Sequence, residues 1–155
     1  MSDVDPARLV AAHREAVGLY RHHLLADDTA RHYLARRGLA ALALPDLPWH
    51  PAVDKPWRVG YAPAAWTTLT KHLNRIGFTT EELVAAGLAR QSPSGRVYDT
   101  FRDRIMFPIR DPAGDPVAFT GRALHVDERI PKYLNTPRQC DLPQRTNSVR
   151  IGRTG

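Results

Sequence analysis

Basic side chains between residues 98 and 136 have the spacing best suited to chemistry in this sequence. Arg102 and Arg104 lie two positions apart in the stretch FRDRIMFPIRD, and Arg122 and Lys132 follow within thirty residues. A guanidinium group can donate two parallel hydrogen bonds to a phosphate, so arginines at this spacing suit successive phosphates of one strand. Tyr133 adds a ring on which a base can stack. The pattern indicates a surface that binds single-stranded nucleic acid.

A β-strand from Phe101 to Ile109 is the element predicted to hold the first two arginines. Apolar and polar residues alternate along it, which is typical of a strand with one buried face. We therefore expect Arg102 and Arg104 to point outward side by side. The row predicted to anchor this strand in the core is Phe101, Ile105, Phe107 and Ile109. In the alternative interpretation the strand face is merely solvated, with Asp99 and Asp103 as weak surface partners.

The positions of the third and fourth cations follow from a predicted hairpin. A DPAGD turn separates the first strand from a second one at Pro116 to Arg122, and PKYLNTP (131–137) continues as an extended segment. Paired strands of this kind would bring Arg122 and Lys132 close to the first arginine pair. Four cations would then line one surface.

The first half of the chain is predicted to be helical. Asp5 before Pro6 marks a helix start, and Thr79 with Glu82 forms a capping-box pattern before a short helix that ends near Gly87. Two further helices are predicted at about 28–37 and 65–76, each followed by a glycine, and a short strand at 96–98. The predicted fold class is α+β, with a helical N-terminal half followed by a small antiparallel sheet in a single domain.

Composition narrows the class of protein. The chain has 155 residues, a net charge of +6, nineteen arginines against three lysines, and 43% hydrophobic residues, which suits one domain with an anionic partner. The only cysteine, Cys140, excludes an internal disulfide or a cysteine-based zinc site within the chain. No apolar run approaches twenty residues and no secretory signal is present, so we expect a cytoplasmic protein without membrane contact.

Other residue types give weaker signals. The seven histidines show no metal-binding spacing, and we expect them at the surface. We expect the tryptophans, Trp49, Trp57 and Trp66, to anchor loops or the core. Arg36 and Arg37 end a predicted helix, where cations interact favourably with its dipole. No catalytic residue and no metal site is predicted.

Six segments in a fixed order carry a family resemblance. They are YLARRG (33–38), VGYAP (59–63), GFTTEELVAAGL (77–88), YDTFRDRIMFPIRD (98–111), VAFTGR (117–122) and PKYLNTP (131–137). Together they span roughly residues 15 to 137. In this order they resemble the first part of the RNA-polymerase core of bacterial DnaG-type DNA primases, the part that precedes the Toprim domain.

The resemblance implies a template-binding function in DNA replication. In such primases this subdomain lies beside a Toprim subdomain, and the basic cleft between them holds single-stranded template and the short RNA–DNA hybrid. The family's cleft positions fall here on Arg102, Arg104, Arg122 and Lys132, with Tyr133 and Asn135 beside them. Magnesium belongs to the Toprim half, so no cofactor is expected on this chain itself. Contacts with a replicative helicase would involve other regions.

Departures from the family pattern limit the expected activity. The layout predicted from the sequence is a primase core subdomain at 1–137, containing a Pro/Trp-rich loop at 40–58, followed by a basic irregular tail at 138–155. FTGR stands where the family has FGGR, and neither the zinc-binding nor the Toprim module is found. We therefore expect part of a DNA-directed RNA polymerase that lacks the Toprim metal site and makes no primers alone. The alternatives are a stand-alone accessory module that binds single strands and an inactive primase remnant.

Overall fold

The computed structural model describes residues 4–39, 58–125 and 127–136. The helices are α1 (Pro6–Ala26), α2 (Asp28–Arg36), α3 (Thr68–Arg75) and α4 (Thr80–Ala85). The strands are β1 (Gly60–Ala62), β2 (Ala89–Gln91), β3 (Val97–Asp99), β4 (Arg104–Arg110), β5 (Pro116–Ala123) and β6 (Tyr133–Asn135). The predicted tail at 138–155 and all but Arg58 of the predicted loop at 40–58 lie outside the described residues. None of the helices in the described ranges could cross a membrane.

The strands form two antiparallel sheets, and all of them except β1, which lies between α2 and α3, follow the helices in the chain. The larger has the strand order β1-β4-β5-β6, and β2 pairs with β3 to form the smaller one. Ile105 of β4 lies opposite Tyr61 and Arg122, and Arg122 lies opposite Tyr133 of β6. This arrangement confirms the predicted α+β class and the hairpin of β4 and β5. It also places Arg122 and Tyr133 on the same face of the sheet.

Helix ends agree well with the sequence signals. The Asp5 carboxylate accepts a hydrogen bond from the Ala7 amide at 2.9 Å, and both bonds of the Thr79–Glu82 capping box are present. Gly38 and Gly77 follow α2 and α3 with φ of 75° and 112°, values that glycine adopts readily. The start of α3 at Thr68 is three residues later than predicted.

The larger sheet is covered on both faces. Met106 and Phe119 pack with α1 on one face, whereas Tyr61 and Ile105 pack with α2 on the other. Strand β1 lies so close to α1 that a Cβ atom placed on Gly60 would be 2.5 Å from the Cβ of Tyr20. Glycine is therefore required where these two elements meet.

Strand β4 begins at Arg104, so the predicted start at Phe101 is wrong. Asp103 has a φ of 55°, a left-handed conformation that interrupts the extended backbone. Arg102 and Arg104 consequently do not share an outward face. Arg104 is only 4% exposed, whereas Ile109, predicted to anchor the core, is 43% exposed. Phe101 and Ile105 are buried as predicted. The expected open face is missing because both faces of β4 are covered.

Candidate nucleic-acid interface

Arg122 is held between two tyrosines. Its Nε donates a hydrogen bond to the Tyr33 hydroxyl and its Nη1 donates to the Tyr133 hydroxyl. Tyr33 comes from α2 and is buried, whereas Tyr133 is 53% exposed. Two of the five guanidinium N–H groups serve these bonds, so three others can donate elsewhere. The arrangement fixes a cation at the surface with donors left for a phosphate.

Arg122 stays protonated in this environment. Desolvation works against the cation, but the hydrogen bond to Tyr33 and the neighbouring tyrosine hydroxyls raise the pKa of Arg122 above its ordinary value. The Arg122 Cζ atom also lies 5.1 Å from the ring centroid of Tyr133, within cation–π range. Arg122 is therefore a fixed, permanently charged group.

Further basic side chains line a shallow depression next to Arg122. It is lined by Tyr33, Arg37, Arg122, Ala123, Leu124, His125, Asp127, Ile130 and Lys132. The Cζ atom of Arg37 lies 4.8 Å from the Tyr33 ring centroid. Asp127 is the one carboxylate among the described residues of this lining, and it accepts hydrogen bonds from the backbone and side chain of Arg129. The depression thus suits a phosphate-bearing ligand.

Arg104 lies beneath this surface. Its Nη1 donates to the carbonyl oxygens of Gly121 at 3.2 Å and Lys132 at 3.4 Å. The expectation that Arg104 points outward on an open strand face is therefore wrong. Its contacts instead hold the segment that leads to Lys132 against β5.

Lys132, Tyr133 and Asn135 of the KYLN segment lie together along the outer edge of the sheet. Lys132 and Asn135 are exposed, and Thr120 donates a hydrogen bond to the Asn135 side-chain oxygen at 3.0 Å. Thr120 is the residue that changes FGGR to FTGR, so this departure adds a bond to Asn135. The neighbouring Gly121 is buried, and a Cβ there would lie 3.0 Å from the Arg104 and Phe101 side chains. Its small size therefore serves internal packing.

Arg102 belongs to a different set of contacts. Its Cζ atom lies 3.9 Å from the Trp66 ring centroid, and its Nη1 donates to the Asp99 carbonyl at 2.5 Å. Of the two roles expected for Trp66, an anchor in the core is excluded because the residue is 59% exposed. The structure thus brings Arg104, Arg122, Lys132, Tyr133 and Asn135 together through β5 and β6. Arg102 is held by the loop before α3 and by β3.

Sequence reasoning missed two contributors to the depression. Arg37 was assigned to the helix dipole, yet Tyr33 and Arg37 are four residues apart at the end of α2, and this spacing could have placed them on one face. His125 was expected only as a surface residue. Its Nδ1 lies 2.8 Å from Asp103, whose other carboxylate oxygen accepts a bond from the Tyr61 hydroxyl. No simple sequence signal links these three residues.

Described carboxylates and histidines do not cluster in a way that suits a metal. Within the described ranges, no group of three or more histidine, cysteine or acidic side chains could hold an ion. Asp99 instead accepts hydrogen bonds from the amides of Leu69 and Thr70 at the start of α3. The expectation of surface histidines fails for His13, which is fully buried.

Comparisons with known proteins agree with this architecture. Residues 19–141 match the family model described as DNA primase catalytic core, N-terminal domain. The chain is 40% identical to the DNA primase of Mycobacterium tuberculosis over 149 residues, which is 94% of this chain and 21% of that protein. It therefore spans about a fifth of that relative's length.

Solved structures show the same fold. The RNA polymerase domain of Mycobacterium tuberculosis primase DnaG, in complex with double-stranded DNA, matches with a TM-score of 0.72 and 40% identity, covering 86% of this chain and 40% of that one. A DnaG primase catalytic domain bound to ssDNA matches with a TM-score of 0.69 and 33% identity, covering 86% of this chain and 40% of that one. The chain belongs to the DnaG primase family, to the N-terminal domain of its catalytic core.

Proposed function

We propose that this chain is the template-binding part of a DNA primase and holds single-stranded DNA or an RNA–DNA hybrid on the surface around Arg122. The observation that carries the proposal is the Arg122 guanidinium, fixed by Tyr33 and Tyr133 and still offering donors. Related catalytic domains have been solved with double-stranded and single-stranded DNA. Those complexes support a nucleic-acid partner for the same fold.

Each predicted residue has a distinct part in the proposed surface. Arg122 and Lys132 bind phosphates, and Tyr133 offers an exposed ring to a base or sugar. The Asn135 amide group donates to the strand, while its oxygen stays with Thr120. Arg104 acts indirectly, because its buried guanidinium holds the backbone of Lys132 in place. Arg102 contributes from its separate contacts with Trp66.

Primer synthesis needs more than this surface. Phosphoryl transfer by two magnesium ions requires a cluster of carboxylates. Two of the acids near the sheet already have partners: Asp99 caps α3, and Asp103 binds Tyr61 and His125. We propose that a Toprim domain, in cis or in trans, supplies the magnesium site, and that helicase contacts involve other regions. RNA synthesis by the isolated chain with magnesium and nucleotides would contradict this part.

Salt-dependent binding tests the surface. Single-strand affinity should be measured by anisotropy at several salt concentrations for the wild-type chain, Arg122→Gln and Lys132→Gln. Each variant should bind all sequences more weakly. The negative slope of log K against log salt should become shallower by about 0.7 for each phosphate contact that is lost.

The matched control is Arg14→Gln, which removes the same charge from α1. Arg14 is 58% exposed and lies 2.8 Å from Asp115, away from the proposed surface. Its slope should remain close to that of the wild-type chain. Unchanged slopes in both Arg122→Gln and Lys132→Gln would place the nucleic acid elsewhere and favour a merely solvated face.

A further inference from the structure

His125 lines the depression beside Arg122, and a carboxylate holds one side of its ring. Its Nδ1 lies 2.8 Å from Oδ2 of Asp103, while the rest of the side chain is largely in contact with solvent (68% exposed). The other oxygen of Asp103 accepts a hydrogen bond from the Tyr61 hydroxyl at 2.7 Å. Burial and this bond raise the pKa of Tyr61, so its hydroxyl keeps its proton and donates. Hydrogen bonds therefore run from Tyr61 in β1 through Asp103 to the imidazole at the surface.

Asp103 is fixed through both its backbone and its side chain. Its φ of 55° is left-handed, a conformation that costs energy in residues other than glycine and that is found often at functional sites. The Asp103 amide donates to the Pro63 carbonyl, and the Asp103 carbonyl accepts from the Leu124 amide, both at 3.3 Å. Because both carboxylate oxygens are also engaged, Asp103 can orient the neighbouring His125 ring.

The contact with Asp103 decides which ring nitrogen of His125 can accept a hydrogen bond. A carboxylate only accepts hydrogen bonds, so the proton of the neutral imidazole belongs on Nδ1. Nε2 is then left with its lone pair, on the part of the ring that does not contact Asp103. His125 thus offers an acceptor to the depression whenever its ring is neutral.

Side-chain acceptors are scarce in the described lining of this depression. Its basic side chains can only donate, and they are Arg37, Arg122 and Lys132. Both oxygens of Asp127 already accept from Arg129, and the Tyr33 hydroxyl accepts from Arg122. Phosphate oxygens alone would satisfy the cations but could not donate to Nε2 of His125. A ribonucleotide brings phosphates together with a 2′-hydroxyl, which is a donor that deoxyribose lacks.

We propose that His125, oriented by Asp103, accepts a hydrogen bond from a ribose 2′-hydroxyl and so lets this surface prefer an RNA strand to a DNA strand. The proposal rests on the template-binding function above and names a residue that determines its specificity. His125 makes the contact, and Asp103 is a positioning residue that keeps the proton on Nδ1. The cations of the depression cannot make this distinction, because both kinds of strand carry the same phosphates.

The binding test compares two hybrids that differ only in the 2′ substituent. Both contain the same DNA strand, paired with RNA in one hybrid and with 2′-fluoro RNA in the other. The fluorine keeps the A-like form of the strand but cannot donate a hydrogen bond. Affinities of the full chain are measured by anisotropy at about pH 8, where histidine is ordinarily neutral. Wild type should bind the RNA hybrid about fivefold more tightly, which one net hydrogen bond can supply.

Substitutions of His125 test whether its ring nitrogen causes this preference. His125→Phe keeps a planar ring without an acceptor, and should bind the RNA hybrid about fivefold more weakly than wild type and the fluoro hybrid equally well. His125→Gln has a side-chain oxygen that can accept, and should recover part of the preference. His22→Ala is the matched control, because it removes an exposed imidazole of α1 that does not line the depression. Its two affinities should equal those of wild type.

Asp103→Asn tests the positioning role. Asparagine tolerates a left-handed backbone, so the variant should fold, but its single side-chain oxygen cannot serve both Tyr61 and His125 as the carboxylate does. The preference for the RNA hybrid should shrink, while the affinity for the fluoro hybrid should stay that of wild type. Long-range proton–nitrogen NMR spectra, assigned with His125→Phe, should show the Nδ1–H tautomer for His125 in wild type. An Nε2–H tautomer there would overturn the proposal.

The outcomes separate this proposal from the function on which it rests. If wild type binds neither hybrid, both fail. If Arg122→Gln weakens binding of both hybrids but wild type shows no preference between them, template binding stands and the role of His125 is overturned. Equal losses on both hybrids in a folded His125→Phe variant would also overturn it, because the hydroxyl would then not be what His125 contacts. Thermal melting identifies the variants that are folded.

Discussion

Three arginines that are alike in the sequence have three different environments. Arg122 is fixed at the surface by two tyrosine hydroxyls, Arg104 is buried beneath Lys132, and Arg102 covers Trp66. These environments depend on residues up to 89 positions away, as with Arg122 and Tyr33. Spacing along the chain identified basic residues relevant to one surface. It could not assign a role to each.

Stability should separate the two neighbouring arginines. Arg104→Met removes a buried charged donor from two carbonyl groups and should lower the free energy of unfolding by about 1–3 kcal/mol. Arg102→Met loses mainly a half-exposed cation–π contact and one backbone bond, so its cost should be smaller, about 1 kcal/mol. Urea denaturation of both variants measures the difference. A larger loss for Arg102→Met would reverse the assignment of Arg104 as the internal support.

At the scale of elements, the contact between β1 and α1 depends on one missing side chain. The Cβ of an alanine at position 60 would lie 2.5 Å from the Cβ of Tyr20 and 2.7 Å from its backbone carbonyl carbon. Neither atom can move without shifting α1. Strand β1 also forms the edge of the four-stranded sheet, next to β4.

Gly60→Ala should therefore be strongly destabilising, by about 2 kcal/mol or more, because such an overpacked contact forces backbone movement. Gly18→Ala is the control. Gly18 lies on the exposed side of α1, with nothing within 4 Å of an added Cβ, and should gain about 0.5–1 kcal/mol from helix propensity. Thermal melts of the two variants should move in opposite directions. Equal or favourable shifts for both would show that α1 and β1 are not closely packed.

Helices were easier to predict than strands for a physical reason. Their ends are specified by local bonds, such as those of Asp5 and Thr79, which the sequence displays directly. Strands β1 and β2 have three residues each, too few for alternation to show, and the partner of β1 is β4, which is distant in sequence. The start of β4 was missed because Asp103 takes a left-handed conformation that glycine or asparagine would have signalled better.

The candidate site was also only partly predicted from the sequence. The hairpin and the KYLN segment placed Arg122 next to Tyr133, which the register confirms. Tyr33 belongs to α2 and Arg37 caps its end; because α2 packs on the face of the sheet that carries Ile105, only the tertiary fold brings these two side chains to the site. Trp66 was misassigned because tryptophan near a loop is more often buried.

At the scale of the whole molecule, the larger sheet is covered on both faces. A histidine lies in the core between α1 and this sheet. His13 of α1 is fully buried and stacks on Phe119 with ring centroids 5.6 Å apart. Its Nδ1 lies 2.8 Å from the Leu9 carbonyl, and the buried Nε2 has no hydrogen-bond partner in the described part of the chain. Burial lowers the pKa of His13, partly offset by the bond to Leu9. The folded protein therefore holds this ring neutral.

Stability should consequently fall as the pH drops below about 6.5, the ordinary pKa of histidine. In that range His13 is protonated in the unfolded chain but stays neutral in the folded one. The free energy of unfolding therefore decreases by up to about 1.4 kcal/mol per pH unit. His23 has a pKa lowered mainly by burial and adds in the same direction. Urea denaturation at pH 7.5, 6.5 and 5.5 should show this slope for wild type and a flatter one for His13→Met. His32→Gln, at an exposed position on α2, serves as the control. Parallel slopes for wild type and His13→Met would mean that His13 does not set the acid sensitivity of the core.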